Sequence, residues 1–531
     1  MKVSHPCQNS CWKFFTSTPD LNRVHLNQIG KLIYSTSISL AKQDPQDFVT
    51  KVIRFFRLAG IPGAQKVELG LRKVNAHVTK GASTNYLRVG QLKKAIAPEN
   101  IATHTDAIAA RRAESALKVL QISIPVGRKT LRPDQNKLKV LYVLTNSLPY
   151  TQSGYTVRSH EILRILNRQG HDAEAVTRIA YPVTIGRIPS SYIDTVDGVC
   201  YHRLLPNRFP TDSVERIDLA VDMLVKKASD LNVSVLHTTT DYTNAIIVSR
   251  AAEILGVPWI YEVRGELEST WLSRLPNPEQ EAAKSSDFYV LSQAKETQAM
   301  QSASAVIALS EIAKEKFIGR GVPSEKIHVI PNAVDSDLLS KRFSKRQVRA
   351  ELGLDKDTFL VGTVTSLVEY EGLDCLIKSL RLLPDAHCLI VGDGAARPDL
   401  EDLARDIGVS SRVTFVGKKP LKDIWSWYSV LDVFVVPRKD TEVCRSVTPI
   451  KPLTAQALGI PVVASNLPAL REVTGNFAHY VEADNPRSLA LGIETARKSS
   501  NTDRGIEWAA NRTWTQIGFD LFKVYSSLIP R

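Results

Sequence analysis

The sequence predicts an α/β protein of two doubly wound parallel-sheet domains behind a basic, mainly helical N-terminal extension. Three observations carry that expectation. Short apolar runs alternate with helix-length amphipathic segments from about residue 137, and the pattern restarts near residue 359; such alternation implies parallel sheets covered by helices on both faces. At 531 residues the chain exceeds a single hydrophobic core. The formal net charge is +13, yet residues 1–135 hold 21 Lys and Arg against 8 Asp and Glu, so the rest of the chain sums to zero.

Within the extension (1–135), KVIRFFRLA sets Lys51, Arg54 and Arg57 at three-residue spacing. On a helix this makes a basic ridge beside an apolar face, or an ordinary packed helix with a solvated side. Residues 103–121 read as a helix capped near Thr105 or Asp106, and the Pro-, Gly- and cation-rich 124–136 as a linker. A first domain, 136–345, opens with the strand KLKVLYVLT, the loop NSLPYTQSG and a helix stopped by Gly170. Its further strands are VSVLHTT, PWIYEV and SAVIALS, with helices TNAIIVSRAAEILG and EIAKEKFIGRG. A second domain, 346–509, has strands FLVGTVTS, HCLIVGDG, RVTFVG, DVFVVP and PVVAS. The tail, 510–531, ends in a helix. Two such domains joined by a hinge are expected to bring their strand ends to a cleft.

Composition excludes several classes. No window of 18 uninterrupted apolar residues exists, and the first residues show no apolar core of signal-peptide length. Six scattered cysteines, without C-x-x-C pairs, fit a reducing compartment; Cys7 and Cys11 lack metal partners apart from His5 and His25. The expected location is the cytoplasm, with the basic extension docking to an anionic surface on the inner face of the plasma membrane. No nucleic-acid module is recognisable in that extension, so no nucleic-acid partner is expected. Asp335-Ser336-Asp337 and Asp355-Lys356-Asp357 imitate a metal-binding D-x-D pattern but lie in loop sequence, where turn and capping roles are expected. No metal and no cofactor are expected.

The run PRKDTEVCRSVTPIKPLTAQALGIPVVAS (437–465) is the most informative segment. Arg438 follows an apolar strand, and Lys451 lies thirteen residues on, so two cations flank the Thr448-Pro449 turn at a strand's carboxyl end. That pattern suggests a diphosphate site. In the first domain, Ser153, Gly154 and Tyr155 lie between strand and helix, where backbone N–H groups can hold an anion; alternatively Gly154 is a turn residue of positive φ.

SGYTVRSHEIL, YEVRG, HVIPNAVD, LVEYEGLD, VGDG and VTPIKPL occur in that order. Together they resemble the retaining glycosyltransferases of family 4, in the subgroup carrying a V-T-P-hydrophobic-K-P-L element, over roughly residues 137–528. The resemblance implies the two-domain GT-B fold and transfer of a sugar, with retention and without metal, from a UDP- or GDP-linked donor to a glycan or lipid-linked hydroxyl acceptor. Cell-envelope or exopolysaccharide synthesis is the implied setting, and the tail helix is implied to pack back across the hinge. By the same resemblance Gly154 approaches donor phosphate or acceptor. Arg264 occupies the place of a functional histidine; as a permanent cation it is expected to stabilise charge rather than act as a base. His237 is equally a structural histidine or a substrate contact, while Glu266 and Glu268 are expected in a solvated loop.

On the donor side the resemblance implicates Gly362, Ser366, Gly392, Gly394, Thr448, Pro449 and Thr454. The two glycines of VGDG are expected to admit the nucleotide closely. Many relatives carry Arg and Lys at the positions of Ser366 and Glu371, and glutamates at those of Ser446 and Thr454. Arg438 and Lys451 are therefore expected to carry the phosphate charge, and Thr454 to hold the ribose weakly, with Glu442 as an alternative. These departures leave open a GT-B protein of weakened turnover that binds sugar nucleotides or serves as an assembly partner.

Overall fold

The computed structural model describes residues 26–44, 48–49, 51, 81–127, 138–499 and 502–529. KVIRFFRLA beyond Lys51, Cys7, Cys11 and most of the expected linker lie outside these residues. The chain forms two compact units, Met1–Ile307 with Phe317–His328 and Phe522–Arg531, and Ala308–Lys316 with Val329–Leu521.

The first unit is built on an eight-stranded sheet of β1 (Lys139–Leu144), β2 (Asp172–Thr177), β3 (Ile193–Val196), β4 (Val199–Arg203), β5 (Val235–Thr239), β6 (Trp259–Val263), β7 (Ala305–Ala308) and β8 (Ile327–Val329). Its order is β3-β4-β2-β1-β5-β6-β7-β8. β4, β2, β1, β5 and β6 run parallel, and β3 pairs antiparallel with β4. Strands such as β5 and β6 are buried along their whole length, which explains their unbroken apolar character. The sequence reading missed β2, β3, β4 and β8. β2 reads DAEAVT, too polar to resemble its neighbours, and β3–β4 is a hairpin turned by Asp197 and Gly198, both at positive φ (47° and 82°). An Asp-Gly pair between short strands is a hairpin signal in its own right.

The described part of the basic extension is helical, over Leu26–Gln43, Ala82–Arg88, Leu92–Ala95 and His104–Gln121. It is part of the first unit's core rather than an appendage: Leu32, Leu92 and Ala113 are fully buried. Ser39 donates to the Pro210 carbonyl at 3.2 Å, and Arg88 pairs with Glu279. The cap of the last helix is Thr103, not Thr105; it forms a capping box with the buried Asp106.

The second unit carries β9 (Phe359–Val364), β10 (Ala386–Val391), β11 (Val413–Gly417), β12 (Val433–Val436), β13 (Val462–Ser465) and β14 (His479–Val481). All are parallel in the order β11-β10-β9-β12-β13-β14. Leu360, Leu389, Phe434 and Val462 pack on one face, and Val361, Ile390, Val435 and Val463 on the other, as strict alternation requires. The final helix, Trp514–Leu528, begins in this unit and ends in the first, where Phe522 stacks on His171. In both sheets the strand order reverses once, between β1 and β5 and between β9 and β12. Open parallel sheets bind ligands beyond the strand carboxyl ends at that reversal.

Candidate functional site

At the reversal of the second sheet, the chain leaving β9 and the chain leaving β12 are knitted together. Gly372 (φ 68°) lies so close to Pro437 that a Cβ would sit 1.9 Å from the Pro437 carbonyl oxygen, and Lys439 N–H donates to the Tyr370 carbonyl at 3.0 Å. Only glycine fits there. This brings Glu371 between the two cations anticipated from sequence. Arg438 Nη2 and Nε donate to the Glu371 carboxylate at 2.9 and 3.3 Å, and Lys451 Nζ donates to it at 3.0 Å and also to Thr365 Oγ1. Arg438 Nη1 donates to the Val447 carbonyl at 3.0 Å.

Burial by itself pushes the Glu371 carboxyl up, but Arg438 and Lys451 outweigh it and hold the group down at about 2. Lys451 is shifted down by burial and by Arg438, with Glu371 opposing. The two cations expected to carry the phosphate charge are thus joined through a third group. A shared carboxylate couples them and leaves the cluster a net single positive charge. The side chain of Arg438 is 7% exposed and that of Lys451 23%.

The other donor-side residues divide. Thr448 and Pro449 are buried beside the cluster; the Thr448 carbonyl accepts from Asn332 Nδ2 at 2.9 Å. Ser366 is exposed on the loop after β9, and Thr454 is half-buried on the helix Lys451–Ala457, its hydroxyl 3.4 Å from the Ile450 carbonyl. Gly362 is not at the strand end: it lies inside β9, where a Cβ would meet the Leu389 carbonyl at 2.3 Å. A Cβ on Gly392 (φ 139°) would meet the Thr365 carbonyl at 1.7 Å, and one on Gly394 the Leu367 carbonyl at 2.2 Å. The close approach those two glycines allow is to the protein's own backbone, so their requirement needs no nucleotide. Ser446 donates to the Glu442 carbonyl, and the Glu442 carboxylate pairs with Lys316 at 3.0 Å.

At the reversal of the first sheet, a cavity of about 260 Å³ opens between the ends of β1, β5 and β6. Ser153, Tyr155, Asp241, Arg264 and Glu266 line it. Ser153 is the N-cap of the helix Gly154–Arg168, in a reciprocal box with Thr156. Gly154 is the first helical residue, its φ is not positive, and a Cβ there would meet nothing within 4 Å. The turn explanation for this glycine therefore fails. Tyr155 is 56% exposed.

Arg264 follows β6 and is buried, with Nη1 donating to the Tyr155 carbonyl (2.8 Å) and Ser159 Oγ (2.7 Å), and Nη2 to Tyr142 Oη and Glu262 Oε2 (both 2.6 Å). Arg158 Nε reaches the other Glu262 oxygen at 2.7 Å, and Tyr142 bonds the same carboxylate. Burial pushes Glu262 up, but Arg264 and Arg158 dominate and keep it ionised far below the usual range. His237 is fully buried, bonds Tyr525 Oη through Nδ1 at 2.7 Å, and is pushed down by burial to about 3. It is the structural histidine of the two readings. Glu266 and Glu268 are buried rather than solvated, with Arg320 at 3.4 and 3.2 Å.

Sequence reasoning missed Glu371, Gly372 and Glu262 as parts of these sites. Only the placement of Glu371 directly before a glycine hinted at a fixed turn.

Two adjoining family models match the chain: "Glycosyl transferase 4-like domain" over residues 153–333 and "Glycosyl transferases group 1" over residues 344–512. The O-antigen biosynthesis glycosyltransferase WclY of Escherichia coli is 29% identical over 179 residues, 34% of this chain and 48% of that protein, so the chain spans about half of that relative's length. Sucrose-phosphate synthase from Thermosynechococcus elongatus superposes with a TM-score of 0.60 at 19% identity, over 73% of this chain and 99% of that one. Anabaena HepE in complex with UDP-glucose does so at 0.56 and 18%, over 73% and 100%. These structures show the GT-B fold for this chain.

Proposed function

We propose that the protein transfers a sugar, with retention, from a nucleotide-diphosphate donor to a hydroxyl acceptor in cell-envelope or exopolysaccharide synthesis. The observation that carries this reading is the Lys451–Glu371–Arg438 cluster at the strand-order reversal of the group 1 domain. A net positive cluster at that place suits a leaving diphosphate, whose charge grows as the bond to the sugar breaks. The anomeric C–O bond to the β-phosphate breaks and the acceptor oxygen bonds the same face. The acceptor proton passes to the departing phosphate.

UDP-glucose in HepE makes a UDP-linked donor the first to test and a GDP-linked one the second. The reading is metal-independent: Asp335 caps a short helix through Asp337 N–H at 3.0 Å, and Asp355 closes a turn by accepting from Asp357 and Thr358 N–H at 2.9 and 2.8 Å, so each D-x-D segment has a local structural role. The acceptor is a glycan or a lipid-linked glycan, brought to an anionic membrane by the basic residues of 1–135. Among the described residues no helix is long and apolar enough to cross a membrane.

Screening UDP-, GDP- and ADP-sugars for thermal stabilisation tests the donor, since a ligand of the folded state alone raises Tm. Release of nucleoside diphosphate on adding acceptor then tests turnover. Failure of every nucleotide to stabilise the protein sinks the reading. A sugar-nucleotide-binding protein of weakened turnover is favoured by one specific observation, the lack of carboxylates at Ser446 and Thr454; stabilisation without release would support it.

A further inference from the structure

We infer that Glu371 is a positioning residue that keeps Lys451 charged and in place for the nucleotide's diphosphate, and that Arg438 acts through Glu371 rather than on the phosphate. The inference rests on the donor reading above and goes beyond it by dividing the work within the cluster.

Exposure separates the two cations. A lysine ammonium has three N–H groups. Lys451 uses one on Glu371 and one on Thr365, so a third is left, and its side chain is the more exposed of the pair. Arg438 commits three of its five N–H groups, on Nε and Nη2 to Glu371 and on Nη1 to the Val447 carbonyl, and the other two lie on a side chain that is almost wholly covered. A bidentate fork of this kind fixes the carboxylate plane. Glu371 is itself pinned by Gly372, which fits only against Pro437, the residue before Arg438. The contacts run from Arg438 to Glu371 to Lys451, and the lysine is the more exposed of the two cations.

The carboxylate also decides whether Lys451 stays an ammonium. The groups acting on Lys451 are Glu371 and Cys444, which favour its charge, and Arg438, which opposes it together with burial. Without Glu371, a half-buried lysine would sit beside an uncompensated guanidinium. Such a lysine loses its proton at lower pH. Positioning by Glu371 thus has a signature that simple packing lacks: its loss moves the pH at which phosphate binding fails.

UDP binding by the full chain, measured by calorimetry from pH 7 to 10, tests this above the phosphate's own ionisation near pH ~6. For Glu371→Gln the pH at which affinity halves should fall by at least about one unit relative to wild type, with affinity then dropping up to about tenfold per further unit. Adding Lys451→Arg to that variant should abolish the drop, because arginine stays charged. Glu371→Asp, which keeps the carboxylate, should retain the wild-type profile even if binding is weaker, and it serves should Glu371→Gln not fold. Identical profiles for wild type and Glu371→Gln, or loss of high-pH binding in Glu371→Asp, would overturn the inference alone. If wild type binds none of UDP, GDP and ADP, the donor-site reading falls, and this assignment with it.

Discussion

Replacing Arg438 by methionine should destabilise the second unit strongly and in a pH-dependent way. In the native protein Glu371 is 4% exposed and its carboxyl titrates at about 2, against an ordinary 4.5. A carboxyl depressed on folding contributes stability that is present above its unfolded pKa and lost as pH falls toward its folded one. The window here runs from about pH 4.5 down to about 2, and the difference corresponds to about 3 kcal/mol at neutral pH. Breaking a buried pair by removing one partner costs about 3–5 kcal/mol, a consistent magnitude. Arg438→Met should therefore lose about 3 kcal/mol of unfolding free energy at pH 7, and the gap from wild type should close as the pH is lowered through that window. Urea unfolding can be followed through Trp425, Trp427 and Trp508, all packed on the core of this unit. A gap below about 1 kcal/mol at pH 7, or one that does not change with pH, would show that Glu371 does not depend on Arg438 as the geometry requires.

Lys451→Ala should lower turnover by roughly 10²–10³ with little loss of stability, because Glu371 keeps its bidentate arginine; kcat/KM with the identified donor and a urea midpoint check both halves. Gly372→Ala should unfold the Glu371 turn and lose UDP binding together with at least about 1–3 kcal/mol of stability, since φ is 68° and the Cβ would collide with the Pro437 carbonyl; calorimetry and thermal melts report it. Thr454→Glu should tighten UDP binding by about 1.5–3 kcal/mol, the worth of hydrogen bonds to a charged group, and unchanged calorimetry would mean that the ribose is held elsewhere. The full chain should co-sediment with anionic vesicles and release as ionic strength rises past physiological; binding indifferent to salt would assign the basic residues another role.

The central strands of both sheets were legible in the sequence, because buried parallel strands must be apolar along their length and their helices must be amphipathic, and both patterns are local. The sequence also marked Arg438, Lys451, Ser153 and Arg264 as belonging to strand ends. It did not reveal β2, whose polar DAEAVT carries no such pattern, nor that the described helices of the basic extension complete the first unit's core. Glycine was legible as a type but not in its reason: Gly362, Gly392 and Gly394 answer to neighbouring backbone, while Gly154 meets nothing. Above all, Glu371 lies 67 residues from Arg438 and 80 from Lys451. No spacing rule reaches across such separations, because what joins those side chains is the reversal of strand order between β9 and β12, a property of the folded sheet. Tertiary structure alone decided that the anticipated pair of cations shares one carboxylate, and that the lysine is the more exposed of the two.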